Sequence, residues 1–339
     1  MCFNIAGGFS VVRWGVISTA NIAKNQVIPA ILESKNSILH SIASRHLKKA
    51  ETLCQEFNAS IPYGSYEELL ACPQVDAIYI PLPTAQHVEW SLKCLEAGKN
   101  VLCEKPIALR ASDIESLIKA EAKSGCILSE AFMVYYHPQW KKVKELIAEG
   151  QIGNLKHVQG SFTYYNKDPG NMRNRPDLGG GVLPDIGVYP LVTTRIATGE
   201  EPQTIRAKIE IDKTFGVDTY ASVELGFENF DLSFYVSTQM ALRQKMIFHG
   251  DDGRIEVHAP FNARTYGDSS ISVHSLNNSE ILEFRFGEIN QYTLQIEAFS
   301  HAIQEKNSDR LFSLEDSYKN QLVIDGIFEA SKSDRIQLI

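Results

Sequence analysis

Asn100-Val-Leu-Cys-Glu104-Lys105-Pro106-Ile107 decides how the first half of this chain folds. The apolar run Val101–Cys103 predicts a short buried strand. Glu-Lys-Pro ends it, because proline cannot donate to a sheet ladder. A strand ending in a charged pair puts that pair at the carboxyl edge of its sheet, where open α/β sheets bind ligands. Pro106 also biases Lys105 toward an extended backbone, so the lysine is aimed rather than loose.

Working outward from that strand, short apolar runs predict further strands over Val12–Ile17, Ile38–Ser44, Ala77–Ile80 and Ile127–Ala131. Between them, Ile22–Leu32, Leu47–Phe57, Val88–Ala97 and Ala111–Lys123 carry helical spacing, with Gly98 and Gly125 where helices commonly close. Strand–helix units of this length imply a doubly wound parallel sheet with right-handed crossovers over residues 11–131.

The first turn of such a sheet should hold a dinucleotide pyrophosphate at a helix N-terminus. It reads Gly15-Val-Ile-Ser18-Thr19-Ala20-Asn21-Ile22-Ala23, with Ser18 and Ala20 where fingerprint glycines sit. Small residues keep that backbone approachable. At the end of the second strand an NAD-specific sheet usually carries a carboxylate for the ribose hydroxyl. Here the residues are Ser44 and Arg45, a hydroxyl and a forked permanent cation, which suit a 2′-phosphate. The expected cofactor is NADP(H), with NAD(H) possible. Ile80-Pro81-Leu82-Pro83-Thr84-Ala85-Gln86-His87 forms a stiff loop at the same edge. Thr84 either caps the next helix or faces the cofactor, and His87 is either packed or functional.

The second half reads differently. His137-Pro138 opens a helix over Gln139–Ala148. Alternating segments follow at Lys156–Tyr165, Thr204–Ile211, Tyr220–Phe227, Leu232–Ser237, Gln244–His249 and Arg254–His258, with Gly250-Asp251-Asp252-Gly253 as a hairpin turn. Successive strands without helices between them imply an antiparallel sheet. Two helices close the chain, Leu294–Gln304 and Leu314–Ala330. Before the later strands lie a polar stretch bearing Arg173 and Arg175, then Gly179-Gly180-Gly181, then a helix over Val182–Ile196. Asp185 and Tyr189 are four apart on that helix and share a face. A carboxylate and a phenol side by side invite a proton-transfer reading.

Six stretches now stand in order: Ser-Thr-Ala-Asn-Ile-Ala (18–23), Ala-Ser-Arg (43–45), Ile-Pro-Leu-Pro-Thr-x-x-His (80–87), Glu-Lys-Pro (104–106), Glu-Ala-Phe-Met (130–133) and Gly-Gly-Gly-Val-Leu-Pro-Asp-Ile-Gly-Val-Tyr (179–189). Together they resemble the glucose–fructose oxidoreductase / inositol dehydrogenase family, and most of all its dihydrodiol dehydrogenase and xylose dehydrogenase branch. The resemblance covers nearly the whole chain. It implies an N-terminal Rossmann domain over 11–131. It also implies a C-terminal α+β domain over 132–339, built on a large, mostly antiparallel open sheet, which in this family packs on a second subunit. A homodimer or homotetramer is therefore expected.

The resemblance further implies hydride transfer between NAD(P) and a sugar-like alcohol or carbonyl. Lys105 takes the family's catalytic position, and Asp185 and Tyr189 belong to the second motif; as catalytic residues, Tyr189 is expected to pass the proton to the substrate oxygen while Lys105 bonds that oxygen. Cofactor contacts are expected from Ser18, Thr19, Ala20, Asn21, Ile22, Ser44, Arg45, Pro81, Leu82, Thr84, His87, Glu104 and Lys105. Substrate contacts are expected from Lys105, Tyr136, Arg173, Asp185 and Tyr189, with Asp185 holding substrate hydroxyls. This chain departs from the branch at Thr84, where Asn is common, and at Val134-Tyr135-Tyr136-His137-Pro138, where the branch commonly has Tyr-Arg-Phe-His-Pro. A free phenol titrates near ~10, and a neighbouring Lys105 ammonium is expected to lower Tyr189 from there. Two other readings share these motifs: trans-dihydrodiol oxidation, and a non-catalytic NAD(P)-sensing regulator.

Composition narrows the partners. The chain has 339 residues, 44% hydrophobic and 22% charged, which suits two globular domains. A formal net charge of −8 argues against nucleic acid or an anionic membrane. The six cysteines form no CxxC pair and no metal-type spacing with histidine, so neither a metal nor a disulfide is expected and the setting is read as cytoplasmic. The first ten residues lack the basic and apolar regions of a signal peptide. No apolar run reaches the about 18 residues of a membrane span.

Overall fold

The computed structural model describes residues 11–333 and 337–338, so Cys2 and the N-terminal decapeptide read above lie outside the described residues. The first sheet has six parallel strands: β1 (Val12–Ile17), β2 (Ser37–Ala43), β3 (Ile61–Tyr63), β4 (Ala77–Ile80), β5 (Asn100–Cys103) and β6 (Leu128–Glu130). Their order is β3-β2-β1-β4-β5-β6, the doubly wound arrangement, which reverses direction between β1 and β4. Crossovers run through α1 (Ile28–Glu33), α2 (Leu47–Phe57), α3 (Tyr66–Leu70), α4 (His87–Glu96) and α5 (Ala111–Ser124). The central strands β4 and β5 are almost wholly buried, as a parallel sheet covered on both faces requires. At Gly15 a side chain would press on Ile78, Val75 and Leu69 from 3.0–3.2 Å, so glycine lets α3 close on β1.

β3 and α3 are absent from the sequence reading. A three-residue strand centred on Pro62 and a five-residue helix are too short to show a period. The first helix also opens differently, with a π turn over Ala23–Val27 before α1.

The second sheet has nine strands: β7 (Leu155–Tyr165), β8 (Thr204–Ile211), β9 (Asp218–Gly226), β10 (Asp231–Ser237), β11 (Gln239–Gly250), β12 (Gly253–Val257), β13 (Ser270–Ser275), β14 (Ile281–Arg285) and β15 (Gln337–Leu338). All its pairs are antiparallel except β7 with β10. That exception arises because the chain leaves β7, crosses through α7 (Val188–Thr198), and returns by two hairpins to lie beside β7 from the other side. β13 and β14 were not expected. Their flanks are polar, and Leu282 and Ile281 are exposed, so no clean alternation marks them.

α6 (Pro138–Ala148) and α7 cover one face of this sheet around Trp140, Phe162, Phe248 and Phe261. Of the closing helices, α8 (Gln291–Glu305) leaves it, while α9 (Leu314–Ala330) bridges the two halves, packing Val323, Ile324 and Ile327 against β8 and α7. α8 packs on α1, with Trp14 Nε1 donating to Ser300 Oγ at 3.0 Å. α9 packs on α5, and Asp325 Oδ2 accepts from the Ala111 amide at 2.8 Å.

Candidate functional site

The carboxyl edge of the first sheet and the opening of α7 meet at Lys105. Its ammonium donates to the Asp185 carbonyl oxygen at 2.5 Å and lies 3.3 Å from Asp185 Oδ1. Both side chains are 12% exposed. Asp185 sits in a π turn, Leu183–Gly187, that opens the helix and turns both its carbonyl and its carboxylate to the lysine. The carboxylate of Asp218 accepts the Leu183 amide at 2.7 Å and anchors that turn. Gly181, at φ 132, leaves room for Asp218 that a side chain would fill. The Lys105–Pro106 peptide is cis.

Asp185 gathers more than Lys105. Arg173 Nε donates to Oδ2 at 2.8 Å and the Tyr164 hydroxyl donates to the same oxygen at 2.6 Å. Burial alone would raise this carboxyl, but Arg173, Lys105 and the Tyr164 hydroxyl outweigh it and hold it well below the usual carboxylate range. Both oxygens thus have partners inside the protein. The expectation that Asp185 binds substrate hydroxyls gives way to a different geometry, in which the carboxylate organises two cations and a phenol.

Tyr189 shares the helix face but turns its oxygen elsewhere. Its hydroxyl meets Met133 Sδ at 3.4 Å, and its ring lies among Phe132, Phe162 and Phe261. Lys105 Nζ stands over the ring, 5.1 Å from its centroid, a cation–π contact. Burial pushes the phenol well above 10, with Tyr292, Glu104 and Asp185 adding to the rise. This reverses the expected lowering by Lys105. The main cause is burial, and the ammonium faces the ring rather than the oxygen.

Beneath Lys105, Glu104 accepts from the Tyr79 hydroxyl at 2.6 Å and from the Lys105 amide at 3.3 Å. His87 is 1% exposed, with Nδ1 2.8 Å from the Pro106 carbonyl and Nε2 2.7 Å from the Leu82 carbonyl. Burial lowers its pKa while the two carbonyls oppose that. Both ring nitrogens are occupied, so His87 ties the Pro81–Pro83 loop to the lysine turn. Tyr136 is also redirected. Its hydroxyl accepts from the Phe312 amide at 3.5 Å and its ring packs edge-on to Tyr135, away from Asp185.

The nucleotide end of the edge is more open. Ser18 adopts φ 87, a backbone that glycine takes freely, and its amide donates to the Ala43 carbonyl at 2.8 Å. Thr19, Ala20 and Ile22 are half-buried and Asn21 is exposed. Lys24 is the first amide to fold back, onto the Ala20 carbonyl at 3.0 Å, which leaves the amides before it for an anion. Ser44 is buried and its hydroxyl accepts from the His46 amide at 3.3 Å, while Arg45 is exposed beside it. Burial raises the pKa of the Tyr66 phenol, and the neighbouring Arg45 and Ser18 oppose that rise. Thr84 is buried against the glycine segment, close to Gly179, and makes no cap bond. This donor set fits a dinucleotide phosphate backbone with an added 2′-phosphate.

Sequence reasoning missed Tyr164, Tyr79, Tyr66 and Tyr292. For Tyr164 a signal existed, since strand alternation puts it on the face of Phe162. Tyr66 lies on the unexpected helix α3. Among the described residues, no cluster of three or more His, Cys, Asp or Glu could hold a metal ion, and no helix is long and apolar enough to cross a membrane.

A doubly wound sheet with a dinucleotide turn, joined at a lysine to a second sheet domain, defines a nucleotide-dependent oxidoreductase. The chain belongs to the oxidoreductase family with an NAD-binding Rossmann fold, whose model matches residues 12–132, with the GFO/IDH/MocA C-terminal domain matching 140–256. It is similar to an uncharacterized oxidoreductase of Rhizobium meliloti, 38% identical over 300 residues, covering 87% of this chain and 89% of that one. It is also similar to dTDP-3,4-didehydro-2,6-dideoxy-alpha-D-glucose 3-reductase of Actinomadura kijaniata, 30% identical over 93% of this chain and 94% of that one. A crystal structure of a 3-ketoreductase from Actinomadura kijaniata in complex with NADP and TDP-benzene superposes with a TM-score of 0.88 at 27% identity, covering 95% of this chain and 98% of that one.

Proposed function

We propose that the chain transfers hydride between NADP(H) and a sugar-like alcohol or carbonyl, with a keto-sugar, free or nucleotide-linked, as the leading substrate class. Residues 11–131 hold the cofactor in this reading, and 132–339 supply the substrate pocket and the subunit contacts. The observation that carries it is the Lys105 ammonium at the sheet's carboxyl edge, gripped by Asp185 from the second half at 2.5 and 3.3 Å. The similarity to a 3-ketoreductase bound to NADP and to a D-xylose 1-dehydrogenase (NADP(+)) of Haloferax volcanii supports the class.

Ser18, Thr19, Ala20, Asn21 and Ile22 would hold the pyrophosphate, Ser44 and Arg45 the 2′-phosphate, and Pro81, Leu82, Thr84 and Glu104 the nicotinamide end. The bound nicotinamide supplies or accepts the hydride. Lys105 donates a proton to the carbonyl oxygen in reduction and takes it back in oxidation. Asp185 keeps Lys105 aimed, and Arg173 and Tyr164 help keep Asp185 ionised. Tyr189, a neutral phenol, supports the ammonium through its ring face.

The open face of the second sheet, with Ser161, Ser222, Ser233, Tyr235, Arg243 and Lys245 around a hollow of 280 Å³, is the proposed contact for a second copy. Light scattering behind a sizing column tests that, and a monomer at micromolar concentration overturns it.

A spectrophotometric screen of NADPH oxidation and NADP reduction over aldoses, keto-sugars, nucleotide-linked keto-sugars and dihydrodiols tests the function. Turnover confined to dihydrodiols would shift the reading to that chemistry. NADPH binding without turnover of any of these would make the chain a sensor.

A further inference from the structure

Glu130 opens the Glu-Ala-Phe-Met stretch, yet nothing in the reaction above uses it. It ends β6 in register with Cys103, directly beside the lysine turn. Its side chain is buried at 3% exposure and accepts the Ile107 amide through Oε1 at 2.9 Å. Ile107 is two residues beyond Lys105, so this bond pins the far side of the turn that Glu104 pins from the near side. The Ser317 hydroxyl of α9, which donates to the Ser313 carbonyl at 3.2 Å, lies beside the same carboxyl. Three elements, β5, β6 and α9, thus meet near one acid behind the ammonium.

We propose that Glu130 is a positioning residue for Lys105, acting through the Ile107 amide, and that its ionisation tightens the lysine turn. The inference rests on the oxidoreductase reading given above. A charged acceptor holds a backbone amide about twice as strongly as a neutral one. The charged and titratable groups facing Glu130 are Lys105 and Glu104 from the turn and Cys103 from the paired strand, and α9 adds only the Ser317 hydroxyl. Burial raises the carboxyl to about 7, with Glu104 adding to the rise and Ser317, the Ile107 amide and Lys105 opposing it. The acid therefore changes state within the range where an enzyme is assayed. Below that value Glu130 is a neutral acid, and above it a carboxylate pulls on Ile107.

Glu130→Gln keeps the shape and an acceptor oxygen but cannot ionise. The wild-type to variant ratio of kcat, measured with one substrate from pH 5.5 to 8.5, is expected to be near one at the acid end and to rise to about tenfold at the alkaline end. Groups shared by both proteins cancel in that ratio, and a purely structural role would leave it flat. NADPH binding by fluorescence is expected to be equal in the two. A carboxylic-acid infrared band that titrates near neutrality in the wild type and vanishes in Glu130→Gln is the second expected result, and it needs no substrate. A flat ratio in an enzyme that binds NADPH and turns over overturns the inference alone. Absence of the titrating band overturns it even if no substrate is found. Failure of the wild type to bind NADPH overturns the oxidoreductase reading and this inference together.

Discussion

Lys105 and Arg45 mark the two ends of one sheet edge, and they are built in opposite ways. Lys105, its side chain 12% exposed, is held by a carbonyl, a carboxylate and an aromatic ring. Arg45 is exposed, with the Tyr66 phenol beside it. A buried charge must be paired in advance, because an unpaired one costs several kcal/mol. A charge at the rim can wait for its partner in water. Under the proposed function, the contrast separates a group placed for chemistry from one placed for recognition.

Replacing Lys105 by Met breaks the contrast most severely. It is expected to lower kcat by about 10³-fold or more while NADPH binding stays within a few-fold. An active Lys105→Met protein removes the proposed mechanism. Next comes Asp185→Asn, expected to cost about 10²-fold in kcat. It should also reshape the acid side of unfolding. The folded carboxyl lies below its unfolded value, so its stabilisation is present at neutral pH. That stabilisation is lost as pH falls below the unfolded value of about 3.9 toward the folded one. Urea midpoints between pH 7 and 3 should therefore fall less steeply in Asp185→Asn than in the wild type, and parallel curves would show the pairing to be worthless.

The rim end should respond in affinity instead. Arg45→Ala is expected to weaken NADP about tenfold or more, as the loss of one charged contact does, while leaving NAD nearly unchanged. Equal losses for the two would remove the 2′-phosphate assignment. The smallest effect is expected from Tyr189→Phe, about threefold or less in kcat, because the ring that supports Lys105 survives. A hundredfold fall would return the proton to the phenol.

Much of this was legible in the residues. The strand at Asn100–Cys103 and the breaker after it placed Lys105, and the four-residue spacing of Asp185 and Tyr189 put them on one helix face. Spacing could not say where each polar atom points. Asp185 turned out to face three partners and Tyr189 a methionine sulfur, because a π turn and an aromatic pocket set those directions. His87 shows the same limit, since its two carbonyl partners belong to separate loops. Strand alternation places Tyr164 on the face of Phe162, but neither it nor Glu130 could be tied to its partner, Asp185 in one case and Ile107 in the other, because each partner is distant in sequence.

The return of α8 and α9 to the first sheet has a practical meaning. Trp14, Ile28 and Ile31 share a core with Ile296, Phe299 and Leu311, and Leu314 completes the cluster on the opposite face. The amino-terminal unit is not severable at residue 131. Cut there, it would leave a greasy scar where the last fifty residues had lain. A fragment meant to keep the nucleotide half must carry its lid from the far end of the gene, as a circularly permuted or co-expressed piece.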